Sequence, residues 1–227
     1  DLVSELQADD LVICLLSGGG SALLSAPAAG LALADKQAVT TALLRSGATI
    51  SQINTVRKHL SDIKGGRLAL AAAPARMLTL AISDVPHDDV AVIASGPTVP
   101  DPTSFADARA LMVKFNISGP ETVVDHLAKA ANETAKPGDP AFVADDYKLI
   151  ATPRAALDAA AATARDAGYE IIDLGDSLEG ETQDVARDHA ALARQYLRDN
   201  KRVAILSGGE TTVTIRGDGR GGPNAEY

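Results

Sequence analysis

Leu11–Leu24 reads LVICLLSGGGSALL. An unbroken apolar run, Leu11–Leu16, ends in Ser17, Gly18, Gly19, Gly20 and Ser21, after which the residues favour a helix. A strand with no polar alternation belongs in a sheet covered on both faces, as in parallel α/β proteins. Three glycines at its carboxyl end let the backbone approach a ligand closely and turn amides toward it. An anion, above all a phosphate, suits such a place. No Gly-Lys-Ser/Thr closes the loop, so it is not a Walker A motif.

The chain has 227 residues, enough for one large domain or two smaller ones with a real core. Hydrophobic residues make up 46% and charged ones 22%, the balance of an ordinary globular protein. Aromatics are only 3%, which argues against a stacking surface for single-stranded nucleic acid. A net charge of −9 disfavours nucleic acid and anionic membranes as partners, so an anionic substrate would need positive charge concentrated locally. The single cysteine, Cys14, lies inside the apolar run and reads as a core residue. With no second cysteine, no leader and no membrane-length apolar run, the expected location is the cytoplasm. Opening without Met and stopping just past a Gly-rich turn, the chain reads as an internal fragment of something longer.

Local positive charge is found in the second helical stretch. Asp35 reads as the cap of a helix ending at Gly47, and Ser51 as the cap of the next, with the apolar stripe Ile53, Val56, Leu60 and Ile63. At about 100° per residue, Asn54, Arg57, Lys58, Ser61 and Lys64 share one flank of that stripe. Met77–Ile82 is a second buried strand, followed by SDVPHDD (83–89), whose Asp84 and Asp89 could hold a hard cation such as Mg²⁺. His87 reads as solvated. Val90–Ala94 is read as a short strand, and Ser95 opens another polar turn.

Helices are expected at Phe105–Phe115 and Pro120–Ala131, and a linker at Asn132–Asp146. Beyond it the pattern restarts with a strand at Lys148–Ala151, a helix capped by Thr152 with Pro153 in its first turn, a strand at Glu170–Leu174, a helix at Glu181–Leu197 and a strand at Val203–Leu206. That alternation predicts α/β architecture, with domains at 1–145 and 146–227. The last strand delivers Ser207, Gly208, Gly209, Glu210 and Thr211, an echo of the first loop, and then Arg220 among glycines. A cation on so bendable a backbone suits phosphate or carboxylate.

The stretches SGGGSALL (17–24), INTVRKHLSDIKGGRLA (53–69), SDVPHDD (83–89), IASGPTVPDPTSFADA (93–108) and LSGGETTVTIRGDGRGGPNAE (206–226) resemble the class II glycerate kinases (glycerate 2-kinases), a family whose members also carry the name hydroxypyruvate reductase. The resemblance implies Rossmann-like parallel sheets sandwiched by helices, in two lobes with the site in the cleft between them. It also implies ATP- and Mg²⁺-dependent phosphorylation of D-glycerate to 2-phosphoglycerate. Small-molecule substrates would then be the partners, with nucleic acid and membrane excluded and a homodimer left open. Family members often have Gly, Arg and Gln where His87, Pro223 and Ala225 stand.

Phosphoryl transfer asks mainly for positioning and charge stabilisation. On this reading Arg57, Lys58, Asp84 and Arg220 are the catalytic set. Ser17, Gly18, Gly19, Gly20, Ser21, Asn54, Lys64 and Ser95 bind substrate or phosphate from the first unit; Gly208, Gly209, Glu210, Thr211, Asn224 and Glu226 do so from the second. Asp84 and Asp89 are the Mg²⁺ candidates. A nicotinamide-dependent reductase would want G-x-G-x-x-G with an acidic residue some twenty positions on, and neither glycine loop supplies it. A non-catalytic sugar-acid or nucleotide sensor on the same fold is the third reading.

Overall fold

Strands β1 (Leu11–Leu16) and β2 (Arg76–Ile82) run parallel, in register from Leu11 opposite Arg76 to Leu16 opposite Ala81. The computed structural model in which they are seen describes every residue except 1, 2, 4, 86, 87, 144 and 215–220. It divides into two compact units, residues 1–82 with 89–150, and residues 83–88 with 151–227.

In the first unit, β3 (Asp146–Ala151) completes a sheet of order β1-β2-β3. The strand read at Lys148–Ala151 is therefore an edge of the first sheet. The unit also holds helices α1 (Gly20–Leu23), α2 (Leu33–Arg45), α3 (Ile50–His59), α4 (Arg67–Ala72), α5 (Phe105–Lys114) and α6 (Glu121–Lys129), of which α4 packs on the sheet. The main core is helical: Val39, Leu43, Ile53, Val56, Leu60, Phe105, Ala108, Met112, Val123 and Leu127 interlock from α2, α3, α5, α6 and the turn after α3. A smaller cluster of Ala69, Ala72 and Met77 joins α4 to the sheet and takes in Val12 and Cys14. Burial pushes the Cys14 thiol up, as befits a core residue.

The expectation that β1 is covered on both faces is not met within these residues. Leu11, Ile13 and Leu15 are 55%, 56% and 72% exposed, while the alternate residues face the α4 cluster. Helix starts also differ from the sequence reading. Thr49, not Ser51, caps α3, accepting from the Gln52 amide, and Asp35 lies inside α2, where its carboxylate takes the Ala32 amide at 2.9 Å. Asn132–Asp146 is no free linker, because Thr134 and Ala135 are buried in the first unit and the Asp101 amide bonds Ala135 O.

The second unit is a two-stranded parallel sheet, β4 (Glu170–Asp173) with β5 (Val203–Leu206), joined by α7 (Pro153–Asp166), α8 (Thr182–Arg198) and the short α9 (Pro223–Glu226). Thr152 caps α7 with Pro153 at its first position, as expected.

Candidate functional site

The loop that follows β1 is shaped by what lies against it. Gly20 can carry no side chain, since a Cβ there would stand 2.7 Å from the Cβ of Ala94. Residues 90–94, expected as a strand, form turns ending in a 3-10 turn, Ile93–Ser95. Ala94, Ser95 and Gly96 are successively left-handed, with φ of 52°, 63° and 58°. Such a conformation costs about 1–2 kcal/mol for each non-glycine residue. It persists because both sides hold it: Gly65 N donates to Ser95 O and Gly66 N to Gly96 O, while Ser95 N closes onto Val92 O.

Left-handed Ser95 places its hydroxyl 3.1 Å from Ser21 Oγ and 3.2 Å from Asn54 Oδ1. With one hydrogen to give, it donates to the amide oxygen and accepts from Ser21. Ala94 O, turned the same way, accepts from Lys64 Nζ at 3.1 Å, and Gly20 O accepts from the same ammonium at 3.3 Å. Ser17–Ser21, Asn54, Lys64 and Ser95 are thus brought together. Lys64 does not get there as a helix residue, because α3 stops at His59; the turn that follows delivers it, while Ser61 turns to Ala26 O. Among the described residues the amides of Gly18 and Gly19 have no backbone acceptor.

Two more cations adjoin Lys64. Arg57 is half-buried, and Lys36, which sequence reasoning missed, is buried with its ammonium on Ala26 O at 3.3 Å. Burial, with the neighbouring charges of Lys36 and Arg57, pushes Lys64 down to about 8. Burial, then the charge of Arg57, pushes Lys36 down as well. Among the described residues none of the three forms an ion pair. A buried cation without a counter-ion is costly unless a ligand supplies one. No sequence signal marked Lys36, since its place depends on how α2 packs.

Lys58 is differently placed. It is buried and bonds Asp101 Oδ1 at 3.2 Å, and that oxygen also accepts from the amide and hydroxyl of Thr103. Beside this pair His59 bridges Thr55 O and Glu133 Oε1, and Glu133 accepts from the Phe105 and Thr134 amides.

In the second unit the echo loop Ser207–Thr211 follows β5. Gly209 is held against Leu178: a Cβ there would meet Leu178 O at 2.1 Å. The amide of Gly208 is engaged by Gly175 O and that of Glu210 by Leu178 O, so these two are spent inside the fold. Thr211 Oγ1 bonds Thr182 Oγ1, and Glu226 accepts from Gln183, tying α9 to α8. Asn224 and Glu210 are exposed. Arg220 and His87 lie outside the described residues.

Asp84 and Asp89 are both exposed and fall in different units. Asp89 Oδ1 already takes the Ala91 amide at 2.9 Å. Among the described residues no three His, Cys, Asp or Glu side chains converge on one point. A Mg²⁺ carried in on phosphates needs only one or two carboxylates, and an exposed aspartate such as either of these has the donor chemistry for that. No helix among the described residues is long and apolar enough to cross a membrane.

The chain as a whole is similar to several known proteins. The model of a domain of unknown function, DUF4147, matches residues 1–128. A protein of Agrobacterium vitis, provisionally named a hydroxypyruvate reductase, is 52% identical over 231 residues, covering 99% of this chain and 52% of its own length. The D-glycerate 2-kinase of Thermotoga maritima is 39% identical over 230 residues, covering 100% of this chain and 54% of that protein. The crystal structure of a Thermotoga maritima glycerate kinase superposes with a TM-score of 0.80 at 37% identity, covering 99% of this chain and 54% of that one. The chain spans about half the length of these relatives.

Proposed function

The chain belongs to the DUF4147 family, and on that premise we propose that the whole protein is a cytoplasmic kinase that transfers the γ-phosphoryl group of ATP to D-glycerate, giving 2-phosphoglycerate. The observation that carries this reading is the set of three cations, Lys36, Arg57 and Lys64, that meet no carboxylate among the described residues, beside the Ser21–Ser95–Asn54 hydrogen-bonded chain. The names of the Thermotoga maritima relatives support it.

Transfer forms a bond from a D-glycerate hydroxyl oxygen to the γ-phosphorus and breaks the bond to the β,γ-bridging oxygen. ADP leaves with that electron pair, and the hydroxyl proton is released. Arg57 and Lys64 hold anionic oxygens and offset the charge that spreads over the transferring group. The exposed amides of Gly18 and Gly19 add donors at the end of β1, and Ser21, Ser95 and Asn54 fix the loop that presents them. Lys58, spent on Asp101, acts as a positioning residue that holds α3 in place. From the second unit, Glu226 anchors α9, with Asn224 and Arg220 nearby in sequence. Asp84 or Asp89 would hold Mg²⁺, which would supply charge neutralisation on the phosphates.

The test is a coupled assay on the full-length protein with D-glycerate, ATP and Mg²⁺, using enzymes specific for the 2- or 3-phosphate, with NADH and hydroxypyruvate in parallel. Mg²⁺-dependent 2-phosphoglycerate is expected. NADH oxidation without phosphorylated product would instead support the reductase reading that the Agrobacterium vitis name favours.

A further inference from the structure

We propose that Lys36, Arg57 and Lys64 together form a receptor for a phosphate chain, a multiply charged anion, and not for the carboxylate of the acceptor substrate. The inference rests on the kinase reading and decides which of its two anionic ligands this cluster takes.

Charge is the first argument. The three side chains come from α2, α3 and the turn after α3, and among the described residues none meets a carboxylate. One carboxylate would neutralise one of them and leave the charge of the other two unanswered in a desolvated place. A phosphate chain carries several charges and satisfies the set. Elsewhere in the same unit a buried lysine has been given its own partner, Lys58 with Asp101, so the open trio is not a general habit of the fold.

Donor geometry is the second. An ammonium has three hydrogens and a guanidinium five. Lys64 gives two to Gly20 O and Ala94 O, and Lys36 gives one to Ala26 O, which pins both ammonium groups to backbone and leaves donors over. Arg57 has no hydrogen bond among the described residues. A carboxylate is served well by one planar fork, such as Arg57 alone offers. Two pinned point charges beside a fork match oxygens distributed along a chain. Position agrees, since Lys64 is fastened to the glycine loop through Gly20 O.

The test uses the full-length protein and isothermal titration with inorganic tripolyphosphate, without nucleotide or Mg²⁺. Binding is expected. It should weaken about tenfold or more in Lys36→Met and recover to within about threefold in Lys36→Arg, the loss of one charge-assisted contact. In the unaltered protein, saturating D-glycerate should leave the tripolyphosphate affinity unchanged. Competition by D-glycerate, absence of tripolyphosphate binding, or equal affinity in Lys36→Met would each overturn the proposal. Thermal melts show whether Lys36→Met is folded, and the competition arm needs no variant. None of these readings requires turnover, so a failed coupled assay would sink the kinase reading without touching them.

Discussion

Lys58 Nζ lies 3.2 Å from Oδ1 of Asp101, and the two side chains are 7% and 0% exposed. A buried pair of this kind costs desolvation to make but is dangerous to halve, because the survivor keeps its charge with nothing opposite it. Lys58→Ala is therefore expected to lose about 3–5 kcal/mol of stability, read as a lowered urea midpoint. Lys58→Met with Asp101→Asn should recover part of that. If Lys58→Ala instead melted like the parent and lost only turnover, Lys58 would be acting on the substrate.

Lys64 makes stability depend on pH on the alkaline side. Its folded-state value is about 8 against an ordinary 10.5, so between these the unfolded chain holds a proton that the folded chain has released. Stability of the ligand-free protein should rise with pH across that window and be flat, as far as Lys64 is concerned, below it. The burial of the site, and then the neighbouring charges of Lys36 and Arg57, set the direction. Chemical denaturation at stepped pH should show the climb, and Lys64→Met should remove it. An anion bound beside Lys64 restores the proton, so titrations near pH 8.5 should give heats that vary with the ionisation enthalpy of the buffer.

Ser95 joins Ser21 to Asn54 from a left-handed backbone. Ser95→Ala keeps the strained φ and strands the buried Asn54 oxygen, at a cost of about 1–3 kcal/mol. The loss should appear in the denaturation midpoint, together with weaker tripolyphosphate binding as the glycine loop loosens. Unchanged binding in a destabilised Ser95→Ala would confine the serine to a structural part.

Glu133 governs the acid side. Burial pushes its carboxyl up, but the Phe105 and Thr134 amides and the charges of His59 and Lys136 outweigh this and hold it at about 2, below its ordinary 4.5. A depressed carboxyl contributes stability that is present above pH 4.5 and lost as pH falls toward 2. Glu133→Gln should flatten the acid limb of the stability profile across that interval. It should also lower stability at neutral pH, since an amide answers the two backbone donors and His59 less well.

Much of the fold was legible in local signals. The apolar runs Leu11–Leu16, Met77–Ile82 and Val203–Leu206 are strands, and Thr152-Pro153 opens a helix, because chain stiffness and capping act over a few residues. Reading failed where a distant partner outweighs local preference. The β-branched run at 90–94 is no strand, since Gly65 and Gly66 fasten Ser95 and Gly96 into a left-handed turn. Asn132–Asp146 has linker composition, yet Glu133 and Ala135 dock it onto the first unit.

For the site, the glycine loop and the residues Asn54, Arg57 and Lys64 were visible in the sequence, because glycine runs and clustered cations in an acidic chain are unusual on composition alone. Which cations are spent was not visible. Lys58 and Lys64 are six residues apart and chemically alike, but one meets Asp101 and the other, among the described residues, carbonyl oxygens alone, while Lys36 joins from another helix. Sequence by itself determined which segments become strand and helix and where charge is gathered. Only tertiary structure decided which of the charges meet a counter-ion among the described residues, because a counter-ion is chosen by contact in space.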